Sequence, residues 1–156
     1  MGKQSRAGES DIGIEVPEPP VLLAHILFRL DVGGLETVLV HLINRLPADR
    51  FRHVVICLTE CTDFRQRICS PGVAFYALHK RAGQDFGVWV RLYRLLKKLR
   101  PLVVHTFNIA ALESHLPAFL AGVPVRIHAE HGRDWHDLTG DNWKLFLFLG
   151  IWRVGW

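Results

Sequence analysis

Short, continuous apolar runs alternate along this chain with segments of helical periodicity, and this alternation limits the possible folds more than any other feature. The apolar runs lack the polar residue at every second position that a strand with one solvated face would have, so they predict strands buried on both faces. Such strands occur mainly in parallel sheets covered by helices. Residues 22–30 have this character, interrupted only by His25 and Arg29, and four further segments predict strands, at residues 51–58, 73–78, 102–104 and 123–129.

The segments between these runs predict the covering helices. Residues 35–46 repeat apolar side chains at helical spacing before Pro47, and proline commonly follows a helix end. A second helix has Val88, Leu92, Leu95 and Leu99 on one stripe. A third contains Ala110 and Leu120, bends near Pro117 and closes at Gly122. We therefore predict a Rossmann-like α/β domain with a parallel sheet and helices on both faces.

Chain length and composition suit one domain of this kind. The 156 residues are 49% hydrophobic and 22% charged, which is enough apolar material for a core and too much for a disordered chain. We predict a loose, polar leader at 1–20, the domain at 21–143 and an apolar tail at 144–156. The tail is too short to span a bilayer, which takes about 20 apolar residues. Three cysteines without a Cys-x-x-Cys pair predict no disulfide framework and fit a reducing cytoplasm.

Three loops that follow predicted strands hold the candidate site, because ligands of such sheets bind outside the carboxyl ends of the strands. The first contains Gly33 and Gly34, which either form only a tight turn or let an anionic ligand approach a helix amino terminus. The second contains His105 and Asn108. The third contains Glu130 and His131; His131 could donate a hydrogen bond to a sugar hydroxyl or phosphate, or bond only within its own loop.

Other charged groups allow weaker interpretations. The net charge of +4 suits an anionic partner. A basic helix face is either simply solvated or attracted to an anionic membrane surface; its residues are Arg91, Arg94, Lys97, Lys98 and Arg100. No aromatic and basic platform accompanies it, so nucleic acid is not an expected partner. A carboxylate and histidine cluster around residues 128–137 resembles a metal site in composition but follows no established ligand spacing, so we predict no metal.

Taken in order, these motifs resemble the amino-terminal domain of family-4 retaining glycosyltransferases, which have the GT-B fold of two Rossmann-like domains. The resemblance runs from about Leu22 to Trp143. It rests on five segments: His25-Ile26-Leu27-Phe28, Gly33-Gly34-Leu35-Glu36, His105-Thr106-Phe107-Asn108, Ala121-Gly122-Val123-Pro124 and Glu130-His131-Gly132. Among members of this family, the motifs resemble those of bacterial enzymes that build exopolysaccharide or other cell-envelope glycans.

The resemblance implies transfer of a sugar from a nucleotide-sugar, used as co-substrate without a metal or other cofactor, to a glycan or lipid-linked acceptor. It implies that Gly33 and Gly34 approach the donor diphosphate or sugar and that His131 is the catalytic contact. His105, Asn108 and Glu130 would line the acceptor side. The expected location is cytoplasmic, with peripheral contact at the inner face of the plasma membrane.

The resemblance also implies a donor-binding domain with a Glu-x7-Glu signature, yet no glutamate follows Glu130. We therefore expect a chain truncated before that domain and inactive alone. Two alternatives stay open: a binding or regulatory module that pairs with a separate catalytic chain, and a metal-dependent hydrolase that uses the histidine cluster.

Overall fold

A five-stranded parallel sheet forms the centre of the domain. The computed structural model describes residues 20–130, so the leader and the tail lie outside the described residues. The strands are β1 (Val21–Leu27), β2 (Phe51–Cys57), β3 (Ala74–Ala77), β4 (Val103–Phe107) and β5 (Val125–Ala129). They lie in the order β3-β2-β1-β4-β5, and every pairing is parallel. The predicted Rossmann-like architecture is confirmed.

Four α-helices and a short 3-10 helix connect the strands. They are α1 (Gly34–Arg45), the 3-10 helix (Asp63–Arg67), α2 (Phe86–Leu99), α3 (Asn108–Leu112) and α4 (His115–Leu120). The predicted bend near Pro117 lies earlier in the chain, between α3 and α4. Pro117 is the third residue of α4, where proline is tolerated because the first-turn N–H groups have no partner within the helix.

Each face of the sheet has its own core. Ile26 of β1 packs with Val88, Leu92 and Leu96 of α2 on one face. The next residue, Leu27, packs with helix α1 on the other. Because successive side chains of a strand point to opposite faces, burial of both neighbours means that the strand is covered on both sides. This explains why the run in β1 has no polar alternation.

Two helix ends determine where the following strands begin. Arg100, with a φ of 49°, adopts the left-handed conformation and donates its N–H to the carbonyl of Leu96 at 2.8 Å. Gly122, with a φ of 79°, does the same for α4 by donating to Phe119 at 2.9 Å. Only glycine adopts this conformation without strain from a Cβ, so the predicted closure at Gly122 is confirmed.

The cysteine prediction is wrong for two of the three residues. Cys57, at the end of β2, and Cys61 form a disulfide, with their Cα atoms 5.8 Å apart. The sequence pattern missed it because the chain turns sharply after β2. That turn is held by the parallel bridge between Cys61 and Leu30. Cys69 is an exposed free thiol.

This pairing leads to a direct chemical prediction. Alkylation of the denatured chain without reductant should modify one cysteine, and alkylation after reduction should modify three. Intact-mass spectrometry separates the two results, and a Cys69→Ser variant should show no modification before reduction. Modification of all three cysteines in a sample kept from reductant throughout would contradict the disulfide.

The described residues include no helix that is long and apolar enough to cross a membrane.

Candidate functional site

The strand order changes direction between the neighbouring strands β1 and β4. From β1 the chain continues to β2 on one side, whereas from β4 it continues to β5 on the other. The loops that leave these neighbouring strands therefore diverge, and ligands of open α/β sheets bind where this happens. Gly33 lies at the end of the loop after β1, and Asn108 directly follows β4. The two predicted loops thus meet at the same edge of the sheet.

The loop between β1 and α1 is held by hydrogen bonds to the loop after β2. Thr62 donates its hydroxyl to the carbonyl of Leu30 at 2.7 Å, and Leu30 donates its N–H to Glu60 at 3.2 Å. Thr59 donates both its N–H and its hydroxyl to the carbonyl of Phe28, at 2.9 and 2.8 Å. These backbone and threonine hydroxyl hydrogen bonds hold the loop in place, so the amino terminus of α1 has a defined position.

The amino terminus of α1 is open to solvent on one side. Gly33 is the cap residue and has extended backbone with no side-chain cap, while Thr37 donates its hydroxyl to the carbonyl of Gly33 at 2.7 Å. A Cβ on Gly33 would overlap the Glu36 carboxylate oxygen Oε2, whereas a Cβ on Gly34 would meet no atom within 4 Å. Glu36 thus lies over the cap, where a carboxylate is favoured by the helix dipole, and Gly34 borders open space.

Asn108 and His105 do not lie together in a loop as their sequence neighbourhood suggested. Strand β4 continues through Phe107, so His105 belongs to the strand and its ring lies 4.1 Å from that of Phe107, centroid to centroid. Asn108 begins α3 with a φ of 57°, the left-handed conformation that asparagine adopts more readily than most residues. Asn108 therefore directly follows the carboxyl end of β4, whereas His105 lies within the strand, two residues before its last residue.

His105 belongs instead to a group of histidines on the α1 face of the sheet. It is paired in register with His25, and their ring centroids are 5.6 Å apart. Nε2 of His25 lies 3.0 Å from Nδ1 of His53, and both side chains are buried. Burial lowers the pKa of His25 to about 3, with smaller contributions from His53 and His105, and burial also lowers the pKa of His53. The His25 and His53 rings are therefore neutral at pH 7.

A second cluster of polar side chains links the carboxyl ends of β4 and β5, and the sequence did not predict it as a cluster. The fully buried Thr106 hydroxyl lies 2.7 Å from Nε2 of His115 in α4 and 2.9 Å from Nδ1 of His128 in β5. Nε2 of His128 in turn lies 3.2 Å from Glu130 Oε2. The sequence signal was the spacing of His128 and Glu130, which predicts a shared strand face. Nothing in the sequence linked them to His115.

The site is buried at one end and solvent-exposed at the other. His115 is 4% exposed, and burial, followed by the charges of His128 and Arg126, lowers its pKa to about 4. The Glu130 side chain is 41% exposed. Glu130 follows the end of β5 and is hydrogen-bonded to His128, which in turn contacts the buried Thr106. A carboxylate in this position can accept hydrogen bonds from a polyhydroxyl ligand. Glu130 is thus brought beside the end of β4, as the sequence predicted.

The remaining site predictions concern residues beyond Glu130. His131, the predicted catalytic contact, lies outside the described residues, as do Gly132 and the cluster members from Asp134 to Asp137. Within residues 20–130, no group of three or more histidine, cysteine or acidic side chains is arranged to hold a metal ion.

The fold and the candidate site together define a Rossmann-like α/β domain, with a helix amino terminus and polar strand ends beside its switch point. The model of Glycosyltransferase Family 4 matches residues 32–155, and the chain belongs to this family. No curated protein matches the chain.

One solved structure, described as a crystal structure of UDP-N-acetylglucosamine 2-epimerase, is similar over 78% of this chain at 18% identity and a TM-score of 0.45. The chain covers 36% of that structure's chain.

Proposed function

We propose that this chain is the acceptor-side half of a glycosyltransferase that moves a sugar from a nucleotide-sugar to a glycan or lipid-linked acceptor. Membership of Glycosyltransferase Family 4 supports the reaction class. The 156 residues alone are expected to be inactive, because transfer requires a second, donor-binding domain across the cleft to hold both substrates in position. The most fitting context is bacterial exopolysaccharide or cell-envelope synthesis. In the cytoplasm, the location that the resemblance implies, reducing conditions would keep Cys57 and Cys61 as thiols.

The observation that carries the proposal is the position of the α1 amino terminus beside the diverging strand ends. The N–H groups of the first helical turn and the helix dipole favour a phosphate there. Gly34 borders space for it among the described residues, and the Glu36 carboxylate that lies over Gly33 has to move aside. In this proposal Gly33 and Gly34 approach the donor diphosphate, and His131 contacts the transferred sugar. Asn108 and Glu130 line the acceptor side, whereas His105, which the resemblance also assigns there, lies within β4 beside His25. No metal or other cofactor takes part.

The basic face of α2 supports the peripheral membrane part of the proposal. All five of its residues are exposed, namely Arg91, Arg94, Lys97, Lys98 and Arg100. Arg91 is already engaged, because it pairs with Asp85 at 2.9 Å and donates Nε to the carbonyl of Leu78 at 3.0 Å. The other four remain available to attract anionic lipid, which brings a lipid-linked acceptor to the domain.

Binding of a nucleoside diphosphate tests the proposed role of the glycine pair. We expect Gly34→Leu to weaken binding of UDP or GDP about tenfold, or about 1.4 kcal/mol, because the new side chain occupies the space bordering the helix amino terminus. Titrations followed by the amide signals of α1 measure the affinity. Leucine has a higher helix propensity than glycine, so the melting temperature should not fall.

The matched control is Gly34→Ala, which adds only a Cβ in open space and should keep most of the affinity. Equal dissociation constants for the wild-type, alanine and leucine chains would mean that the glycines serve the turn alone. Saturable binding by a helix other than α1 would also contradict the assignment.

A further inference from the structure

In the polar cluster at the ends of β4 and β5, the hydrogen atoms that each side chain carries determine which side chain donates in each hydrogen bond. The members of this cluster are Thr106, His115, His128 and Glu130. A carboxylate only accepts, so Nε2 of His128 must donate to Glu130. In a neutral His128 ring, Nδ1 then has no hydrogen and must accept from the Thr106 hydroxyl. Thr106 has a single hydrogen, so His115 must donate its Nε2–H to the Thr106 oxygen. With a neutral His128, one arrangement satisfies these three contacts, at 2.7, 2.9 and 3.2 Å. The Ile127 carbonyl, at 3.4 Å from Thr106 Oγ1, is a longer, second acceptor for the same hydroxyl hydrogen.

This arrangement runs from the buried interior to the site edge. The Thr106 side chain is fully buried and cannot itself reach a ligand. The low pKa of His115 keeps that ring neutral at pH 7. A neutral ring has one N–H, which here is the Nε2–H that His115 donates to Thr106. Only Glu130 is substantially exposed. Among the described residues its Oε2 contacts His128, and a carboxylate has further lone pairs that can accept from other donors.

We propose that Thr106 and His128 are positioning residues that hold the carboxylate of Glu130 at the strand mouth, so that it can accept a hydroxyl of the carbohydrate acceptor. This inference rests on the proposed function for the identity of the ligand. It adds two residues, in β4 and β5, to the acceptor side. A free glutamate at the end of a strand would sample several rotamers, and fixing it in advance lowers the entropy lost when the ligand binds.

Ring N–H protons provide a spectroscopic test on the intact chain. Solvent-exposed imidazole N–H protons exchange rapidly, whereas hydrogen-bonded ones persist, so the wild-type chain should show Nε2–H signals for His115 and His128 at neutral pH. Glu130→Gln, a surface change that leaves the core intact, should shift the His128 signal because an amide oxygen is a weaker acceptor than a carboxylate. An unchanged His128 signal in Glu130→Gln would overturn the proposal.

Two substitutions at Thr106 separate positioning from packing. Thr106→Val keeps the shape but removes the hydroxyl, and the His128 Nε2–H signal should disappear. Thr106→Ser restores the hydroxyl and should restore the signal. If Thr106→Val lowers only the melting temperature and leaves the His128 signal in place, Thr106 is a structural residue and the proposal fails. If Thr106→Val does not fold, the Glu130→Gln and Thr106→Ser spectra decide the question.

Saccharide binding tests the consequence for the ligand. The probes are methyl α-glucoside, methyl β-galactoside and N-acetylglucosamine, titrated against the labelled chain. For a probe that binds the wild type, Glu130→Gln and Thr106→Val should weaken the affinity several-fold and to a similar extent, while Thr106→Ser retains it. If Glu130→Gln weakens saccharide binding but Thr106→Val leaves the affinity unchanged, the positioning role is overturned. If no probe binds the wild type, the carbohydrate assignment of the proposed function fails here, and the ring protons alone decide the positioning role.

Discussion

Acidification from pH 7 to pH 4.5 is expected to lower the free energy of unfolding by about 5 kcal/mol, at about 1.4 kcal/mol per pH unit for each affected histidine. His25 has a pKa of about 3 and His115 of about 4 in the folded chain, whereas both titrate near 6.5 when unfolded. Their folded-state pKa values are depressed, so below pH 6.5 the unfolded state binds more protons. The stability that these two histidines contribute is complete above pH 6.5 and is lost as the pH falls towards their folded-state pKa values.

Domains of this size are stable by about 5–15 kcal/mol, so a loss of this magnitude brings the chain close to unfolding. The lowered pKa of His53 adds to the loss in the same direction. Urea unfolding followed by circular dichroism between pH 4.5 and pH 7.5 measures the effect. Stability that is flat across this range would contradict the buried, neutral histidines.

A double variant identifies the source of the acid sensitivity. His25→Leu with His53→Leu removes both partners of the 3.0 Å pair. Replacing both partners with apolar groups avoids leaving one buried polar atom unsatisfied. The double variant should lose less stability on acidification than the wild type, and the remaining dependence should come from His115. An acid dependence equal to that of the wild type would assign the effect to other groups.

Replacement of Leu92 by alanine is expected to cost about 2–5 kcal/mol of stability, the range for truncating a buried leucine. Leu92 lies on α2 and is fully buried against the sheet, in the same core as Ile26 and Leu96. The lost apolar contact and the remaining cavity both destabilise the fold, while alanine itself is a good helix former. Urea titration monitored by circular dichroism measures the difference.

The control for this prediction is the same chemical change at an exposed position. Leu120 of α4 is 60% exposed, and Leu120→Ala should cost well under half as much as Leu92→Ala. Similar losses for the two variants would show that the core assignment of α2 is wrong. A large loss at Leu120 alone would indicate that this leucine is covered in the folded chain.

Local patterns predicted most of the elements because each depends on neighbours within a few residues. The stripe that includes Val88 and Leu92 predicted α2 and its buried face. Gly122 predicted the end of α4 because a left-handed residue is required there. The apolar run at residues 22–30 predicted a strand covered on both faces. Boundaries shifted where tertiary hydrogen bonds decide them, as in β4, which pairs with β5 through Phe107.

The candidate site was predicted less completely for the same reason. Sequence order places Gly33, Asn108 and Glu130 after strands, so their shared edge follows from a parallel sheet. It does not show that His105 lies inside its strand, or that Cys57 and Cys61 meet across a turn.

The amino-acid sequence by itself determined the class of fold, the helix that carries the glycine pair and the edge at which the site lies, because these depend on short-range periodicity and on the direction of parallel strands. Only the tertiary structure decided which side chains share a hydrogen-bond network. Thr106, His115 and His128 come from β4, α4 and β5. Their contacts depend on strand register and helix docking, to which no local pattern is sensitive.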